Sequence, residues 1–179
     1  MRSLIGAVLC CLAAGPALGQ GGYAGQQSRD IKALSAQEQA DLLAGLGMGM
    51  ARAGELNHYP GSAHVLELKD KLTLTPGQAT AVAASFERMA AAAKPLGAAL
   101  VHEERELDAA FQAGSVNDRS FASRTARIAA MQGRLRAIHL RAHLEMRRVL
   151  TAQQIANYDT LRGYADGSPA APARHTHPG

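Results

Sequence analysis

The chain has no tryptophan and only three phenylalanines and four tyrosines, so any core has to be built from aliphatic side chains and alanine. Cysteine is almost as scarce. The two present, Cys10 and Cys11, sit inside MRSLIGAVLCCLAAGPALG, which is laid out as a secretory signal. Arg2 supplies the positive region, Leu4 to Ala14 the apolar stretch, and Ala17-Leu18-Gly19 the small-residue cleavage pattern. The apolar stretch is much shorter than the roughly 20 residues a membrane span requires. Cleavage after Gly19 is therefore expected, with export to the periplasm and no transmembrane segment afterwards. Both cysteines leave with the signal, which excludes a disulfide framework and a thiol nucleophile.

A dominant charge of one sign is missing too. Loss of Arg2 takes the 19 basic residues to 18 against 15 acidic, a net charge of +3, and the signs are interspersed. No basic stripe interleaved with aromatics is present, so nucleic acid is not an expected partner. No Ser/His/Asp arrangement, phosphate-binding glycine loop or paired carboxylates in a pocket-like context can be found. An aromatic-poor helical chain also has little room for a substrate cavity. The expectation is a protein that is not an enzyme and requires no cofactor.

What is present is helical punctuation. Residues 20–34 are Gly/Gln-rich without periodicity and predict a disordered leader. Residues 35–61 predict a short helix and a turn. Ser35 and Glu38 make a capping box for a helix over 36–51 that Gly45, Gly47 and Gly49 weaken, and Tyr59-Pro60-Gly61 turns the chain. Val65, Leu68 and Leu72 then mark one side of a helix over 64–72.

The strongest signal follows. Thr75 is placed as N-cap, Pro76 as the first helical residue and Gln78 as the capping partner. Val82, Phe86, Met89, Leu96, Leu100, Leu107 and Phe111 recur at intervals of three, four and seven. That stripe predicts a helix of roughly 37 residues, about 55 Å long at 1.5 Å per residue, kinked near Pro95. Ala113-Gly114-Ser115 is the turn, and Ser115 or Asn117 caps a second long helix from about Asp118 to Val149. Phe121, Ile128, Leu135, Ala142 and Val149 form its seam, with Thr125, Gln132, His139 and Met146 on a second track. Two long helices joined by a short turn must pack antiparallel. Thr151 and Gln154 open a last helix ending near Gly163, and residues 164–179 are Pro/Ala/Gly-rich and predict a disordered tail. The expected fold is all-α, a long antiparallel hairpin with short flanking helices.

Leu74-Thr75-Pro76-Gly77-Gln78 and Leu150-Thr151-Ala152-Gln153-Gln154 are two copies of Leu-Thr-x-x-Gln, one on either side of the hairpin. This arrangement, over residues 62–163, resembles the Spy/CpxP family of exported helical proteins. The resemblance implies a homodimer of bent hairpins forming a cradle. It further implies either ATP-independent chaperoning of unfolded client proteins or restraint of an envelope-stress sensor protein. Related ZraP-type and CnrX-type proteins bind or sense heavy metals.

Apolar residues off the seam are candidates for a client or dimer surface. Leu140 and Leu144 are two, as are Ala92 and Ala99, and Met89 and Leu96 join them. His139, His143 and Met146 fall at i, i+4 and i+7 on one helix face, and imidazole and thioether suit zinc, copper, nickel or cobalt. By the resemblance, His64 and Glu87 would complete such a set, and a fold about Gly114-Ser115 brings His143 opposite Phe86 and Glu87. The alternative is that His139 and His143 are half-buried helix residues bonding a carboxylate. Glu103, Glu104 and Glu106 are expected on a solvated face, pairing with Arg124 and Arg127. His175 and His177 lie in the tail.

Overall fold

The computed structural model describes residues 22–165, so the expected signal, 1–19, and the tail beyond Ala165, with His175 and His177, lie outside the described residues. Among the described residues there are six helices and no strand: α1 Ala36–Ala44, α2 Arg52–Glu55, α3 Ser62–Glu67, α4 Pro76–Gln112, α5 Asp118–Val149 and α6 Ala152–Arg162. None is long and apolar enough to cross a membrane.

Capping chemistry sets most helix starts. Ser35, Thr75, Asn117 and Thr151 each accept a hydrogen bond from the backbone amide three residues on, and the residue there returns a bond to the cap amide. In α1, Glu38 accepts from the Ser35 amide at 2.8 Å, and that bond holds its carboxyl below the ordinary range. The expected helix over 36–51 is shorter than predicted. Gly45 adopts a left-handed conformation (φ 72°) and ends α1, because glycine pays no Cβ penalty there. The helix expected over 64–72 spans Ser62–Glu67, and Leu68 to Leu74 continues as turns with Thr73 at φ 47°. α4 remains helical through Pro95.

α4 and α5 pack along their length. Ser85 donates to Glu145 at 2.6 Å and Arg127 to Glu103 at 3.0 Å, so pairing partners rise in number on one helix as they fall on the other. Two apolar clusters build on this pair. One joins Ile31, Leu42, Leu96, Leu100, Ile128 and Leu135. The second joins Val65, Leu72, Val82, Met146, Ile155 and Tyr158, where α3 and α6 cover the helix ends. α1 lies so close to α4 that a Cβ on Gly97 would collide with the Leu42 carbonyl.

Three expectations need correction. The disordered leader does not extend to 34: Ile31 is 0 % exposed within the first cluster, and Asp30 pairs with Arg105 at 3.1 Å. An isolated isoleucine gives no periodic signal, yet one apolar side chain placed on a helix pair is enough to anchor a segment. The seam also fails at the turn, where Phe111 and Phe121 are 57 % and 46 % exposed. Glu103 pairs with Arg124 and Arg127 as expected, and Glu106 with Arg124, but Glu104 is buried and its carboxyl is pushed up by desolvation.

Candidate functional site

The motif glutamines have a second use beyond capping. Gln78 Nε2 donates to Gln154 Oε1 at 2.8 Å and to the Val149 carbonyl at 2.9 Å. Gln154 Nε2 donates in turn to the Leu72 carbonyl at 3.2 Å and to Gln78 Oε1 at 3.1 Å. The paired amides thus tie the start of α4 to the start of α6 and satisfy loop carbonyls that burial would otherwise strand. Leu74 and Leu150 pack in or against the second cluster. The two Leu-Thr-x-x-Gln copies form one structural lock.

Among the described residues, two of the concavities beside α5 gather the candidate residues. The first, of about 480 Å³, lies where α5 passes from one apolar cluster to the other. The segment 44–49 forms one wall, and Phe86, Met89 and Ala90 of α4 form another. His64, Glu87, His139 and His143 all line it. Met146 does not; it is 0 % exposed within the second cluster, and its expected place beside the two histidines is corrected. The i, i+7 offset from His139 keeps it on nearly the same face but carries it about two turns, roughly 10 Å, along the helix, past the pocket and under Val82 and Tyr158.

The histidines differ in their surroundings. His139 is 4 % exposed, and burial first, then the neighbouring His143, hold its imidazole below the usual range. Its Nε2 has no hydrogen-bond partner, while its ring packs on Gly47, where an added Cβ would sit 3.4 Å from Nδ1. His143 Nδ1 donates to the Tyr59 carbonyl at 2.7 Å, a bond that fixes the proton on Nδ1, and lies 3.6 Å from Glu55 Oε2. Gly54 and Gly61 pack against the His143 ring; a Cβ on Gly61 would lie 3.2 Å from Cε1.

Behind His143 sits a polar network that sequence reasoning missed. Tyr158 Oη donates to Glu55 Oε1 at 2.5 Å, and Arg162 Nε stands 3.7 Å from the same oxygen. Burial, with the Glu55 carboxylate beside it, raises the Tyr158 phenol well above its ordinary value. His58, in a left-handed conformation, meets Asp159 at 2.7 Å. These residues come from α2, the 56–61 turn and α6, about a hundred positions apart, and no spacing rule links them. The one available signal was the density of polar and aromatic side chains in the 55–59 turn.

Among the described residues, no three His, Cys, Asp or Glu side chains come together closely enough to hold an ion.

The second concavity, of about 510 Å³, is a groove between α4 and α5. Met89, Ala92, Ala137 and Ile138 form its floor, and Arg88, Arg134 and Arg141 stand along it. Arg88 pairs with Glu145 at 2.8 Å; Arg134 and Arg141 have no ion-pair partner among the described residues. Of the residues expected at a client or dimer surface, Met89 lines both concavities, Leu144 is 50 % exposed and Leu140 is half-buried. Leu96 belongs to the first cluster and is corrected to a core residue, since α1 covers its face of α4. Comparison with protein-family models, curated proteins and solved structures finds no match to this chain.

Proposed function

We propose that the protein is a periplasmic, Spy/CpxP-like envelope-stress protein that holds partly unfolded polypeptides without ATP. The observation that carries this reading is the groove between α4 and α5. It joins apolar Met89, Ala92, Ala137 and Ile138 to Arg134 and Arg141, which make no ion pair among the described residues; Glu145, whose carboxylate feels Arg141, is paired with Arg88 at the groove's edge. An apolar segment bearing acidic residues is the occupant this chemistry selects: its side chains bury against the floor and its carboxylates meet the guanidinium groups. Methionine and alanine suit varied clients, because a flexible thioether adapts to different shapes and alanine presents no fixed pocket. A cradle-shaped homodimer would set two such grooves side by side, and Leu144 is available to that contact.

The test is suppression of aggregation of a chemically unfolded client, followed by light scattering. The native protein should suppress it near equimolar ratio, and the Ile138→Glu variant should lose most of that effect while keeping its helicity. Equal suppression by both would remove the groove from the account. Sedimentation of native protein and Leu144→Glu tests the dimer separately.

Metal capture by a heavy-metal buffer or sensor is a second reading, favoured by one observation: His64, Glu87, His139 and His143 border a single pocket. Titration with zinc, copper, nickel and cobalt decides. Stoichiometric binding lost in a His139→Ala/His143→Ala variant supports it, and no binding ends it.

A further inference from the structure

Buried polar atoms without partners are rare in folded proteins, and each one asks for an explanation. Among the described residues there are five: Glu55 Oε2, Ser62 Oγ, His139 Nε2, Asp159 Oδ1 and Arg162 Nε. Four of the five belong to residues that line the pocket between the two apolar clusters. The remaining lining is largely apolar, with Leu46, Met48, Leu56, Phe86 and Met89 around it. At about 480 Å³ the space lies within the range that encloses small-molecule ligands.

Charge narrows the ligand. The lining carries three cations, Arg52, Lys94 and Arg162, against two carboxylates, Glu55 and Glu87. Glu55 is already occupied by the Tyr158 hydroxyl and the nearby Arg162. Arg52 and Lys94 are exposed and have no ion pair among the described residues. The unpartnered atoms lean the same way. Ser62 Oγ brings a donor and His139 Nε2 a second in the tautomer that protonates it, while Arg162 Nε, also without a hydrogen bond, stands 3.7 Å from Glu55 Oε1; the one acceptor is Glu55 Oε2.

We propose that this pocket binds a small amphipathic acid, its apolar body lying among Leu46, Leu56, Phe86 and Met89 and its carboxylate taken by these donors and by the cations Arg52 and Lys94. Segment 45–49 is suited to admit such a ligand. It contains Gly45 and Gly49 in left-handed conformations and packs on His139 through Gly47, without helix of its own. The site is separate from the α4–α5 groove proposed for polypeptides, sharing Met89 and Ala142 with it.

Isothermal titration of the whole protein with decanoate, decanol and decylammonium tests this. Decanoate should saturate one site, about tenfold tighter than either of the others, which share its chain but not its charge. Arg52→Gln/Lys94→Gln, at exposed positions, should weaken decanoate about tenfold and leave decanol unchanged. Ser62→Ala should weaken decanoate, and the groove variant Ile138→Glu should not. No saturable decanoate binding overturns the proposal. So does equal affinity for decanol, which leaves only a greasy patch, or binding that the groove variant abolishes and the Arg52/Lys94 variant spares.

Discussion

The two ends of the α4–α5 pair are written in the same pattern and have opposite fates. Near the Leu-Thr-x-x-Gln motifs, Val82, Met146 and Tyr158 are 0 % exposed, covered by α3 and α6. At the far end, Phe111 and Phe121 continue the apolar stripes of α4 and α5 yet stand 57 % and 46 % exposed around the Gly114 turn. Two helices can bury one stripe each against the other, but enclosing large side chains takes a third element. Ile31 and α1 supply it in the middle, α3 and α6 at the motif end; among the described residues, nothing supplies it at the turn. The periodicity is therefore a statement about helix phase, and burial is decided by what arrives from elsewhere in the chain.

Substitutions can break that contrast, beginning with the core. Leu135→Ala or Met146→Ala should each cost about 2–5 kcal/mol in chemical denaturation, the range for truncating enclosed aliphatic side chains. The same truncation of Phe111 or Phe121 should stay within about 1 kcal/mol, because half-exposed rings leave no sealed cavity. A core-sized loss at Phe121 would mean that the turn end is covered in solution. Gly97→Ala should cost about 1–3 kcal/mol, since α1 must lift off α4 to admit a methyl group against the Leu42 carbonyl.

The paired glutamines sharpen the account of the motif end. Gln78→Ala and Gln154→Ala should each cost about 1–2 kcal/mol, combining a lost capping bond with stranded carbonyls. The double variant should cost less than the sum, because the amides bond each other. Strict additivity would mean that the two capping boxes act alone.

The smallest effect expected is at Glu104. Burial raises its folded-state pKa above the unfolded value, so the folded state favours the protonated form. The cost is absent below the unfolded pKa and grows as pH rises through the folded one. Glu104→Gln should therefore stabilise at pH 7 and change little at pH 3, as read by thermal unfolding at the two values.

Legibility followed the same division. The starts and ends of α4 and α5 were readable because capping boxes and long apolar stripes are local, repeated signals. The end of α1 was missed because Gly45, Gly47 and Gly49 were weighed as propensity costs within a helix, when Gly45 turns the chain out of it. Counting across the turn sets His143 opposite Glu87, helix spacing adds His139 and the family resemblance adds His64; all four line one pocket. Met146 shares a helix face with the histidines, but it lies about two turns further along α5, where the second cluster has replaced the pocket. Glu55, Tyr158 and Arg162 were illegible: a short helix and a terminal helix meet there through tertiary contact, which no local period encodes.

The central claim is that polypeptides bind at the arginine-flanked groove and not at the bare aromatic turn. Amide chemical-shift mapping with a soluble, permanently unfolded client measures this most directly. The account predicts perturbations clustered on Met89, Ala92, Arg134, Ala137, Ile138 and Arg141, and their loss in Ile138→Glu. Perturbations centred on Phe111 and Phe121, with the groove silent, would contradict it.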